Sequence, residues 1–184
     1  LNEKGLAVAI LAAGDKVTTH QNTNKPDLTT TTAVQYLLKN AANIDDALAS
    51  LKDVDMNSVP GVAYHFSMAD ATGRSVAVEY VEKEMMVTES PFVTNHYLCE
   101  AKFQAGLHES DHRHEKLMEQ YNAAGGKMNA DQLTKTIASV TQLPEKGAIV
   151  GGTLWTTVMD LSHPSVTYYS LRHFDKPFRF ELGH

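Results

Sequence analysis

The chain has 184 residues, of which 42% are hydrophobic and 21% charged, and a net charge of −6. These proportions suit an ordinary globular chain with enough apolar content for a core, and the length fits one domain or a large part of one. The acidic balance and scattered Lys and Arg exclude the clustered basic face of a nucleic-acid binder, and no apolar run reaches the length of a membrane span, so neither partner is expected. No secretory signal is visible, which leaves the compartment open with the cytoplasm favoured. The single cysteine, Cys99, cannot form an internal disulfide. Leu1 stands where a start Met would be, so a processed or cut chain is expected.

Residues 6–11 form a short apolar run ahead of Gly14 and read as a buried strand. Residues 14–25 are polar and read as a loop. A helix is expected to start near Asp27 or Thr29, with Val34, Leu37, Leu38 and Ala41 on its apolar stripe. A second follows over about 45–54, with Ala47, Leu48 and Leu51 inward. The period then changes to two, as Val62, Tyr64, Phe66 and Met68 alternate with Ala63, His65, Ser67 and Ala69. Ala71-Thr72-Gly73 fits a three-residue loop, a type I turn with Gly73 left-handed. That loop makes Asp70 and Arg74 the flanking pair and sets His65 opposite Glu79 on one face, as residues 75–81 return. Such a cross-strand pair is expected to add a fraction of a kcal/mol. Residues 85–88 and 92–95 read as further strands, and 111–123 and 130–140 as helices, with Asn129 suited to cap the second. Strands near 153–161, 166–171 and 178–182 close the chain. This order predicts an α+β layered fold with antiparallel sheet, in a single domain over residues 1–184.

A few residues invite a chemical reading. Arg113, Leu117 and Tyr121 are spaced by four and share one helical face. An arginine on an apolar face needs a partner if buried, and its plainer alternative is a snorkelling side chain. Asn95 alone reads as a turn asparagine at a strand end. Cys99 is internal, lacks an α-amine and reads as a structural thiol. His108 and His112 have the one-turn spacing of zinc ligands, with His114 nearby. No third ligand is set by spacing, so the segment reads as solvated polar chain and no metal is expected. Asn2 and Gly5 read as turn-forming.

Six pieces, in order, carry a resemblance: Asn2-Glu3-Lys4-Gly5-Leu6, the run from His65 to Glu79, Val93-Thr94-Asn95, Arg113 shortly after Ser110, the run from Thr153 to Asp160, and Tyr168-Tyr169. Together they cover nearly the whole chain. The sequence resembles the linear amide C–N hydrolases, the N-terminal nucleophile (Ntn) family that holds choloylglycine hydrolases, penicillin acylases and acyl-CoA:6-aminopenicillanic acid acyltransferases.

The resemblance implies a four-layer αββα sandwich with antiparallel sheets, of which residues 1–184 are the C-terminal portion. It implies a cysteine freed at an N-terminus, whose own α-amine is the base, and aimed donors for a tetrahedral oxyanion. A small-molecule amide is the implied substrate, and no cofactor is called for. Asn95 matches the family's catalytic asparagine, an amide donor at the reacting centre. Arg113 matches its catalytic arginine, a fixed positive charge near the thiolate. The nucleophile, with the arginine and aspartate soon after it, is expected ahead of Leu1. One departure stands inside the chain: Ala12 occupies the place of the bile-salt branch's oxyanion asparagine and offers only a backbone N–H. That points to the linear-amide branch rather than to bile salts.

The expectation is therefore a fragment of a linear amide hydrolase acting through an upstream cysteine and an acyl-enzyme. The alternatives are an acyltransferase of the same family, which passes the acyl group to an amine, and a non-catalytic binding remnant. A partial sandwich exposes strand edges and apolar faces, so a homo-oligomer or a pairing with the missing N-terminal segment is expected.

Overall fold

The computed structural model describes residues 1–14, 19–58, 63–81, 83–99, 112–144, 146 and 152–182. Its first sheet has four antiparallel strands in the order β1-β4-β5-β6: β1 (Ala7–Gly14), β4 (Ala63–Ala69), β5 (Ser75–Val81) and β6 (Glu84–Glu89). Two short strands, β2 (Asp27–Thr29) and β3 (Asp55–Asn57), pair in parallel around two helices, α1 (Thr30–Asn40) and α2 (Ile44–Lys52). After a further helical pair, α3 (His112–Ala123) and α4 (Ala130–Ala138), a second antiparallel sheet runs β7-β8-β9: β7 (Trp155–Asp160), β8 (Ser165–Ser170) and β9 (Phe178–Glu181). No helix among the described residues is long and apolar enough to cross a membrane.

The helices start where short polar side chains can satisfy free amides. Thr29 caps α1 by accepting from the Thr32 amide, and Asn43 caps α2 by accepting from the Asp46 amide. Asn129 caps α4 as the sequence predicts, with Gln132 completing a capping box that the sequence reading missed. Asn2 makes four side-chain hydrogen bonds. Its amide donates to the Leu38 and Ala41 carbonyls at the end of α1, and its Oδ1 accepts from the Lys4 and Leu6 amides. This clasp docks the N-terminal turn on α1, in keeping with a turn-forming role.

The central strands of the first sheet, β4 and β5, are buried on both faces. On one, Val8, Phe66, Met68, Val76, Val78 and Tyr80 pack with Ala33, Leu37, Ile44, Ala47 and Leu51 of α1 and α2 to form the main core. The opposite face is lined by a smaller cluster of Ala13, Ala63, Val81, Tyr97 and Cys99. His65 and Glu79 lie there too, both fully buried. The alternation in 62–69 therefore separates two interior faces rather than core from solvent. Val62 itself lies outside the described residues.

The β4–β5 hairpin has the predicted register. The Asp70 amide donates to Arg74 and the Gly73 amide to Asp70, with Gly73 at φ +87°. Phe66 pairs with Val78, which leaves His65 and Glu79 joined on the next rung.

The strand expected over 92–95 does not form. Its groups are met from the side: Ser90 Oγ donates to the Phe92 carbonyl, and His65 Nε2 lies 2.7 Å from the Thr94 carbonyl. With side chains supplying those partners, the segment bends instead of extending a ladder. A smaller correction concerns Asp27, which belongs to β2 and not to the helix that follows.

Candidate active site

Asn95 and Arg113 lie 18 residues apart and meet directly: the Arg113 guanidinium donates to Asn95 Oδ1 at 2.8 Å. The other end of the Asn95 amide donates to the Ala12 carbonyl at 2.8 Å. Ala12 sits near the end of edge strand β1, where the register with β4 shifts between Ala12 and Gly14. Irregularities of this kind re-aim backbone groups beside functional sites. The position singled out for lacking an oxyanion asparagine thus contributes a backbone carbonyl that orients Asn95. A primary amide carries two N–H groups, so one is not taken up by these contacts.

Arg113 reaches this position because α3 packs inward along the predicted face. Leu117 is buried, and Tyr121 stacks edge-on against Phe92, with ring centroids 5.7 Å apart. Phe92 lies three residues before Asn95, so the contact that seats α3 also brings Arg113 to the amide. Ser110 and Asp111, the expected caps of this helix, lie outside the described residues, as does His108. His112 is exposed and pairs with Glu115 one turn on, and His114 packs edge-on against His96.

Behind Asn95 lies the buried pair. His65 Nδ1 is 3.0 Å from Glu79 Oε1, with both side chains removed from solvent. Glu79 also accepts from two backbone amides, Leu98 through Oε1 and Cys99 through Oε2. Burial pushes the Glu79 carboxyl up, but the contact with His65, those amides and the Cys99 thiol outweigh it, holding the carboxyl below its usual range. Both ring nitrogens of His65 thus lie against oxygens, Nδ1 against Glu79 Oε1 and Nε2 against the Thr94 carbonyl. Nearby, burial above all, with the charges of Glu79 and Cys99, pushes the Tyr97 phenol up to about 12. Cys99 is buried, with its thiol on Glu79, as expected of a structural thiol.

The comparisons with known proteins agree with this architecture. The model of the acyl-coenzyme A:6-aminopenicillanic acid acyl-transferase family matches residues 1–173. The chain belongs to that acyl-transferase family. A curated relative, penicillin V acylase from Pectobacterium atrosepticum, is 31% identical over 100 residues, which cover 49% of this chain and 27% of that protein. The match to the acylase thus spans well under two thirds of its length. A variant of the conjugated bile acid hydrolase from Clostridium perfringens superposes with a TM-score of 0.76 at 14% identity, covering 98% of this chain and 71% of the other. Penicillin V acylase from Agrobacterium tumefaciens superposes with a TM-score of 0.67 at 20% identity, covering 97% of this chain and 63% of the other. At such identities these likenesses speak for the fold alone, and the fold is the α+β Ntn-hydrolase fold. Amide hydrolases and acyltransferases make up this acyl-transferase family and its relatives.

Proposed function

We propose that this chain is the C-terminal part of the catalytic domain of a linear amide hydrolase. The reading is that an N-terminal cysteine in sequence ahead of Leu1 attacks the amide, its α-amine taking the thiol proton. The protonated α-amine gives that proton to the leaving nitrogen as the C–N bond breaks, and water then hydrolyses the thioester, its proton returning to the cysteine sulfur. The contact between Arg113 and Asn95 carries this reading, because it joins at hydrogen-bond distance two residues that the family pattern pairs. In this reading the free N–H of Asn95 donates to the oxyanion, and Arg113 holds the amide and lends positive charge beside the thiolate. Cys99 is not a rival nucleophile, since it is buried and has no α-amine beside it. Hydrolysis of penicillin V or a related N-acyl amide fits the named relative, with Ala12 favouring linear amides over bile salts.

The test uses the intact protein, including sequence ahead of Leu1, with penicillin V and N-acyl amino acids as substrates. Asn95→Ala is expected to lower kcat by about 10²–10³, the usual cost of one oxyanion donor. Unchanged turnover in that variant refutes the assignment. The 184-residue chain alone is expected to be inert. Turnover by it that disappears on Cys99→Ala would overturn the role given to an N-terminal cysteine.

A further inference from the structure

The His65–Glu79 pair holds the turn that carries Asn95 at both ends. At the near end, His65 Nε2 meets the carbonyl of Thr94, the residue just before Asn95, at 2.7 Å. At the far end, Glu79 accepts from the amides of Leu98 and Cys99 at 2.8 and 2.7 Å. A 3.0 Å contact between the two side chains closes the loop. His65, Glu79, Thr94 and Cys99 are buried and Leu98 is half-buried, while Asn95 is exposed between the two ends. The pair stands on β4 and β5, the two central strands of the four-stranded sheet.

We propose that His65 and Glu79 are positioning residues for Asn95. They fix the 94–99 turn against the sheet so that the Asn95 amide meets Ala12 and Arg113 in one orientation. This rests on the role given to Asn95 above. The physical argument is that a catalytic amide on an irregular segment needs neighbours that lock it, since looseness of a fraction of an ångström is costly at a reacting centre. No ladder holds the backbone of this turn. A His–carboxylate contact desolvated on a rigid sheet offers an acceptor for the turn's amides and a ring nitrogen for its carbonyl, which no apolar residue supplies. A pair serving only to join β4 to β5 would have no call on Thr94, Leu98 and Cys99.

Two measurements test this. In the 184-residue chain, amide exchange is followed in Glu79→Gln and in the milder His65→Gln, which keeps one donor. The Leu98 and Cys99 amides are expected to lose protection by about tenfold or more while amides within β5 keep theirs. The Asn95 side-chain resonances are expected to shift as the amide leaves Arg113. Loss of protection shared equally by β5 and the turn overturns the proposal. In the intact enzyme, Glu79→Gln is expected to lower kcat by about tenfold or more with little change in KM, and to have no further effect once Asn95 is Ala. If the Glu79→Gln effect is the same with and without Asn95, the pair does not act through that amide and the proposal falls, while the role of Asn95 stands. If Asn95→Ala alone leaves turnover intact, the proposed function falls, and the exchange measurement still decides whether the pair holds the turn.

Discussion

The two sheets treat the same kind of residue in opposite ways. In the first, Phe66 is 0% exposed, with helices on its side of the sheet and the Tyr97–Cys99 cluster on the other. In the second, Trp155, Phe178 and Phe180 are 59%, 57% and 58% exposed. The pairings place these three, with Met159, Val166 and Tyr168, on one face of β7-β8-β9. The opposite face carries Thr156, Val158, Thr167 and Arg179, and part of it lines a cleft with Ala130 and Leu133 of α4. Hydrophobic composition is therefore a poor guide to what is core. Phe66 and Phe180 both alternate correctly along an antiparallel strand, and only the layer laid over them separates one from the other.

The largest effect that would break this contrast is a matched pair of truncations. Phe66→Ala is expected to cost about 3–5 kcal/mol, for lost burial plus the cavity left behind. Phe180→Ala is expected to stay within about 0.5 kcal/mol in the isolated chain. Denaturant titration measures both, and similar losses would show that the second sheet is covered in solution.

Acid should sharpen the contrast further. Glu79 is held low despite burial, through His65, the Leu98 and Cys99 amides and the Cys99 thiol. Asp70 is held low despite burial, through the Thr72 hydroxyl and the Ile44 amide. Asp55 is held low chiefly by the Thr23 hydroxyl. Glu79 and Asp70 brace the first sheet, Asp70 through the Ile44 amide at the start of α2, while Asp55 holds the 23–25 segment beside β3. A carboxyl depressed in the folded state adds stability above the ordinary carboxylate range and loses it as pH falls through that range toward its folded value. Thermal midpoints should thus be flat with respect to these groups above about pH 6 and fall below about pH 5. The second sheet has one such carboxyl among the described residues, Asp160, held low chiefly by the His163 amide in the turn after β7, so exchange in β4 and β5, with more of them, should steepen before exchange in β7 and β8. A midpoint unchanged down to pH 3 would count against it.

The smallest effect concerns association. We propose that the exposed face of the second sheet draws two copies of this chain together when it is studied alone, as large apolar patches do. Light scattering should show mass above the monomer, reduced in Phe178→Ser combined with Phe180→Ser. A clean monomer at high concentration removes the proposal.

What was legible in the sequence was local. Ala71-Thr72-Gly73 set the hairpin register down to the His65–Glu79 contact because turn chemistry acts over a few bonds. Thr29 and Asn129 marked helix starts for the same reason. The second face of the first sheet was not legible, because its polar residues find partners far along the chain: His65 at Thr94, 29 residues on, and Glu79 at Cys99, 20 residues on. The same distance hid the loss of the 92–95 strand. The cross-strand pair is buried, and its two side chains also meet the Thr94 carbonyl, the Leu98 and Cys99 amides and the Cys99 thiol. Arg113 and Asn95 were matched through the family pattern. Spacing alone offered only the Arg113, Leu117 and Tyr121 face, which did point α3 inward.

Gly5 has a mechanical consequence. It holds φ +83°, and a side-chain carbon there would collide with the Leu161 carbonyl oxygen in the turn after β7 and crowd Ala71. Three residues earlier, Asn2 grips the end of α1. Helix, first strand, β4–β5 turn and β7–β8 turn thus share a joint five residues long, with no slack. Any sliding of the second sheet against the first would be transmitted through Gly5 to β1, and along β1 to the Ala12 carbonyl that holds Asn95.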